Sequence, residues 1–195
     1  MAIYPATNPT IFLRLRAADA APREMAWEEF YVRYAPVITA FARRLGTRQA
    51  DVEDIVQEVM IGFFAKSPRF IYDPNKGRFR GYLKVCTYRA LSKRMADKNV
   101  LGQRPFQELD PDSLAIDQVW NDAWEENRVR RALDELRIAM SRTKAFAAFE
   151  RYVLLEEPAA AVAEKLGMHV NSVYRAREQI GRLLKEKLSS LPQDE

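Results

Sequence analysis

Among the 195 residues there is one cysteine, Cys86, and one histidine, His169. A lone cysteine allows no internal disulfide, and one histidine with one cysteine builds no metal cluster, so no metal site is expected. The glycines never assemble into a Walker loop or a dinucleotide-binding turn, and no nucleophile triad stands out. No apolar run approaches the ~18 residues of a membrane span. The longest run, Val59 to Ala65, is far too short. The first residues, Met1-Ala2-Ile3-Tyr4-Pro5, lack the basic-then-apolar layout of a signal peptide. These absences lead to the expectation of a cytoplasmic protein that is not an enzyme, carries no cofactor and has no membrane span.

What is present is charge, unevenly distributed. The net charge is +4, but residues 1–100 carry 17 bases against 10 acids, residues 101–127 one base against 7 acids, and residues 128–195 13 bases against 10 acids. Two basic blocks flank an acidic one. Basic blocks favour polyanions such as nucleic acid, which an acidic stretch between them would repel.

The periodic segments read as helix, giving an all-α fold. Trp27, Phe30, Tyr31, Tyr34, Val37, Ile38, Phe41 and Leu45 recur at helical spacing, with Pro36 a kink and Gly46 the stop. Thr47 can cap the next helix. There Val52, Ile55, Val56, Val59, Met60, Phe63 and Phe64 form one amphipathic stripe. Ser67-Pro68 ends it, Tyr72 to Gly77 has loop chemistry, and a third long helix is expected from Phe79 to Asn99. Residues 10–99 are thus one helical domain. Residues 100–127, with Gly102, Pro105 and Pro111, read as an acidic linker containing a short helix near Ile116 to Trp124. Residues 128–190 form a second helical domain.

In the second domain, Ala159 to Leu166 reads as a short helix after Pro158, Gly167 ends it, and a longer helix begins near Val170. Val162, Leu166, Val173, Ala176, Ile180 and Leu183 can fill a small core. The opposite face carries Asn171, Ser172, Tyr174, Arg175, Glu178, Arg182 and Lys185, with His169 at the helix start. Arg and Asn at the front of a recognition helix can bond base edges, while later bases meet phosphate. The alternative is a plain helical hairpin with a solvated face.

Two surfaces of the first domain also stand out. Lys76 to Lys98 holds eight bases and one acid, with aromatics interleaved or just upstream. Phe70, Tyr72, Lys76, Arg78, Arg80, Lys84, Tyr88 and Arg89 are candidates for binding unpaired or melting DNA, by phosphate neutralisation and base stacking. Phe79 and Tyr82 fit the core better. On the Val52 to Phe64 helix, Asp54, Gln57, Glu58 and Ile61 make a second stripe, acidic at one end and apolar at the other. It suits a basic partner protein, or is merely an acidic surface near a helix N-terminus.

The motifs Asp51-Val52-Glu53-Asp54-Ile55-Val56-Gln57-Glu58-Val59 and Gly77-Arg78-Phe79-Arg80-Gly81-Tyr82-Leu83 resemble region 2 of the sigma-70 family, in its extracytoplasmic-function (ECF) group. The stretch Pro158 to Ala176 resembles region 4. The resemblance implies two domains, a region 2-like bundle and a region 4-like helix-turn-helix. It implies promoter DNA and bacterial core RNA polymerase as partners, the latter through its β′ clamp helices and β flap, and leaves room for an anti-sigma factor. Asp54, Gln57 and Glu58 match the face for the clamp helices. Phe70 to Arg78 and the helix after it match the part that captures the melted −10 element, and Asn171, Ser172, Tyr174, Arg175 and Glu178 the helix that reads the −35 duplex. Tyr82, Arg89 and Lys93 depart from the Trp, Asn and Asp common in the group. A helix-turn-helix regulator that binds operators without polymerase is the rival reading; it has no need of the acidic stripe or the acidic linker.

Overall fold

The computed structural model describes residues 9–71, 79–100 and 113–190, with the backbone alone for residues 9, 10 and 97–100. Among the described residues the secondary structure is helical throughout. The chain divides between Asn127 and Arg128 into two compact units.

The first unit holds α1 (Pro9–Leu15), α2 (Ala20–Arg44), α3 (Gln49–Lys66), α4 (Phe79–Val100) and the first half of α5 (Leu114–Ala139). Helix α1 was not anticipated: with seven residues opened by proline it is too short for a periodic signature, yet it buries Ile11, Phe12 and Leu15. Pro36 is accommodated inside α2. The Val32 carbonyl, which loses its partner to the missing proline N–H, belongs to an exposed residue, where water can replace that bond. Gly46 ends α2 in the left-handed region at φ 79°, with its N–H donating to the Arg43 carbonyl. Thr47 does not cap α3. Its hydroxyl is buried without a hydrogen-bond partner, and Arg48 takes the cap position without a side-chain capping bond, its guanidinium pairing with Asp51 at 3.2 Å instead.

An aromatic core fixes these helices together. Phe30 of α2 stacks on Phe63 of α3 at 4.4 Å, and Phe12 of α1 lies 4.9 Å from Phe79 of α4. Each buried aromatic removes a large apolar surface from water, which outweighs the loss of its rotamer freedom. Tyr31, read as part of the α2 core stripe, is instead exposed: the α2 core face already holds Phe30, Tyr34, Ile38 and Phe41, and Tyr31 lies outside that arc.

The largest departure concerns the acidic segment. Residues 114–127 are not linker but helix packed into this unit: Ile116, Trp120, Ala123 and Trp124 are buried, and Trp120 meets Phe41 edge-on at 5.0 Å. Among its acids, Asp117, Asp122 and Glu126 are matched by bases of the same unit. Asp117 pairs with Lys84 at 2.7 Å, and Arg44 pairs with Glu126 at 2.8 Å and Asp122 at 3.8 Å. Asn127 donates to the Arg33 carbonyl. The rest of the expected linker, residues 101–112, lies outside the described residues.

The second unit contains the second half of α5, α6 (Lys144–Phe149) running into a wide π-type turn at Glu150–Leu154, α7 (Ala159–Leu166) and α8 (Val170–Ser190). Leu136, Phe146, Phe149 and Ile180 form one small core cluster, and Ala148, Val162, Ala163, Val173 and Ala176 another. Leu166 and Leu183 pack against these clusters half-buried. Gly167 adopts φ 56°, a left-handed C-cap that ends α7 and lets the chain turn into α8.

Candidate functional site

Helix α3 turns one face into the core and leaves the next face open. Asp54, Gln57, Glu58 and Ile61 are all exposed, Ile61 at 59%. A single exposed isoleucine is ordinary on a protein surface; here it continues the open face that the three polar residues begin. Asp54, Gln57 and Ile61 also border a groove of ≈ 810 Å³ between α2 and α3, whose other wall includes Trp27, Tyr31 and Pro36. Tyr31 is a candidate that the sequence reading concealed, because its apolar ring adjoins the core stripe of α2 in sequence although its position on the helix faces the groove.

The stripe is partly neutralised from α4. Lys93 lies 3.4 Å from Glu58, and Arg94 bonds both Asp54 and Asp51, the latter at 3.3 Å. Lys93 is thus a surface charge partner of α3.

The basic run of α4 is divided by its packing. Lys84 is only 8% exposed, bonded to Asp117. Arg80 bonds Asn121, and its guanidinium lies over the Trp124 ring at 5.2 Å from the centroid. Tyr88 is buried, and Phe70 packs against Phe12, Phe63 and Tyr82 at 5.3 to 5.6 Å. These four, expected to face nucleic acid, are held by the fold in this arrangement, because α5 covers that side of α4 and the aromatic core draws in Phe70. Arg89 is exposed on α4. Tyr72, Lys76 and Arg78 lie outside the described residues. Phe79 is core, as expected, and Tyr82 is half-buried against it.

Burial pushes the Tyr82 phenol up from 10.0 to about 12, and the neighbouring Cys86 thiol adds to the shift. The neutral phenol is the form that the fold favours. Its contribution to stability is complete below pH 10.0 and is lost as the pH rises toward about 12. Tyr82→Phe should therefore flatten the pH dependence of urea stability in that window; an unchanged slope would assign it to other groups.

In the second unit α7 and α8 form the expected helix-turn-helix. The His169 carbonyl accepts from the Ser172 N–H at 2.8 Å and so starts α8. Val173, Ala176 and Ile180 are buried, whereas His169, Asn171, Tyr174, Arg175, Glu178 and Arg182 are exposed and Ser172 is half-exposed. The turn before α7 is clamped by Glu157, which pairs with Lys165 at 2.8 Å and Arg151 at 2.9 Å. The hydrogen bond from Lys165, aided by Arg151, holds the Glu157 carboxyl below the usual range.

Residues 30–99, which carry the α3 stripe and the whole of α4 up to its last residue, match the family model of Sigma-70 region 2. Over that segment the chain is similar to Sigma-70 region 2, which supports a sigma-70 family sigma factor. No curated protein matches the chain. The similarity to region 2 supports a role in transcription initiation and implies core RNA polymerase and promoter DNA as partners. No helix among the described residues is long and apolar enough to cross a membrane. The matched segment stops before α5, so Asp117, Asn121 and Trp124, which hold Lys84 and Arg80, lie outside it. Sequence reasoning missed them because their acidic surroundings suggested solvent. Their spacing carried a usable signal: Ile116, Trp120, Ala123 and Trp124 stand at i, i+4, i+7 and i+8.

Proposed function

We propose that this protein is an ECF-group sigma factor that recognises promoters with two domains, a region 2-like one in front and a region 4-like helix-turn-helix over residues 128–190. Asp54, Gln57, Glu58 and Ile61 dock on the β′ clamp helices of core polymerase, and the second domain meets the β flap. The α3–α4 segment with Tyr72, Lys76 and Arg78, continued by Arg89, holds the melted −10 element. Its bases neutralise phosphate and its aromatic rings can stack on unpaired bases. Helix α8 enters the −35 major groove with Asn171, Ser172, Tyr174, Arg175 and Glu178 toward base edges and His169 and Arg182 toward phosphate. Arg80, Lys84, Tyr88 and Phe70 act in support, as packed residues that fix the position of α4.

The observation that carries this reading is an acidic and apolar stripe left open on α3 in the same chain as an open recognition face on α8. A regulator that binds DNA alone has a use for the second feature only. The deciding experiment reconstitutes the full chain with bacterial core RNA polymerase and asks for promoter-directed transcripts; their absence from every genomic template would refute the reading. Arg175→Ala should cost about 1–3 kcal/mol at one position of the −35 element and little at others, measured by binding to single-base variants. A uniform loss over all sequences would make Arg175 a phosphate contact.

A further inference from the structure

Tyr174 stands one turn into α8 and is 44% exposed, yet its ring is not left to itself. The ring of Tyr152 meets it in a T-shaped contact, with centroids 5.7 Å apart and planes at 74°. Tyr152 belongs to the wide turn Glu150–Leu154 and packs against the cluster of Ala148, Val162 and Val173. An isolated surface tyrosine must be ordered when it binds, whereas a ring braced by a packed neighbour has already lost much of that freedom. The fold thus holds an aromatic face still, beside the polar side chains of Asn171 and Arg175. Those two can answer hydrogen-bonding marks on base edges; a fixed ring suits an apolar mark. In the major groove the apolar mark is the C5-methyl group of thymine.

We propose that Tyr174 reads a thymine methyl in the −35 duplex and that Tyr152 is the positioning residue that holds its ring for this contact. The assignment rests on the reading that α8 enters the major groove, and its test is separable from the test of that reading. Holoenzyme made from the full chain and core RNA polymerase selects duplexes from a pool randomised across the −35 element. Each thymine of the selected duplex is then replaced by uracil, which removes the methyl and nothing else. The wild-type chain should lose about three- to tenfold in affinity at one thymine. Tyr174→Ala should bind thymine and uracil alike at that position. Tyr152→Phe, which keeps the ring edge, should retain the discrimination. Tyr152→Leu, which keeps apolar bulk without the ring, should narrow it while leaving discrimination at other positions intact; helical circular dichroism checks that each variant folds.

A selected promoter with no methyl-sensitive thymine would overturn the assignment, as would methyl sensitivity that survives Tyr174→Ala. Uniform weakening by Tyr174→Phe without any uracil effect would also overturn it, by making the hydroxyl a phosphate contact. Full discrimination in Tyr152→Leu would remove Tyr152 from the proposal. Failure to select any promoter would instead overturn the sigma-factor reading on which the assignment rests.

Discussion

Trp120→Ala should destabilise the first unit by about 3–5 kcal/mol, the usual cost of deleting a buried tryptophan from a core that cannot collapse around the gap. Trp120 is 2% exposed and sits between Phe41 of α2 and Trp124 of its own helix, at centroid distances of 5.0 and 5.8 Å. Domains of this size have total stabilities of roughly 5–15 kcal/mol, so the loss would consume much of the whole. Urea denaturation followed by circular dichroism measures it. A change below about 1 kcal/mol would mean that α5 lies on the unit without belonging to its core. The same reasoning covers chain ends: a fragment stopping at residue 112 should unfold at distinctly lower urea than one stopping after Asn127, because the shorter one lacks Ile116, Trp120, Ala123 and Trp124.

Glu58→Arg should lower affinity for core RNA polymerase by at least about 100-fold, because reversing a charge inside a protein interface costs several kcal/mol. The folded chain itself should hardly notice. Glu58 is exposed, its partner Lys93 is 3.4 Å away and largely solvated, and pairs of this kind contribute between nothing and about 1 kcal/mol. Core affinity measured by titration, with circular dichroism as the check on folding, separates the two effects. Retained affinity would move the interface away from α3. Glu58→Gln should fall between the wild type and the reversal, since it removes attraction without adding repulsion.

The helices that the sequence reveals are those with one clean apolar stripe: α2, α3 and α4, and the α7–α8 pair punctuated by Pro158 and Gly167. Periodicity reports which face is apolar, and for these helices that face is the buried one except at its margins, where Tyr31 and Phe64 are exposed. It fails for α1, where seven residues span too few turns; for α5 it reveals the helix near Ile116 to Trp124 but not its burial, because acids at 117, 122, 125 and 126 surround the buried row. The candidate sites divide in the same way. Exposure of Asp54, Gln57, Glu58 and Ile61 follows from the period of α3 alone. The fate of Arg80 and Lys84 does not, because a basic side chain on a helix looks the same in sequence whether it faces water or a carboxylate 33 residues further along. Tyr88 and Phe70 show the converse limit: aromatic residues suit stacking on bases and packing in a core equally well, and only the tertiary arrangement decides between them.

The cations that α4 lays across α3 bear on how any basic surface would dock there. Lys93 and Arg94 already occupy part of the space a visiting cation would take beside Glu58 and Asp54. Docking is then an exchange of one cation for another rather than a meeting of bare opposite charges. The gain in Coulomb energy is the difference between two ion pairs, so added salt should weaken the complex less steeply than the number of acids on α3 would suggest. Long-range attraction toward that face is blunted for the same reason, and slow, orientation-limited encounter becomes the natural regime. A basic partner seated there would compete with Lys93 for Glu58 and with Arg94 for Asp54, while the second bond of Arg94, to the buried Asp51, would hold it on α3.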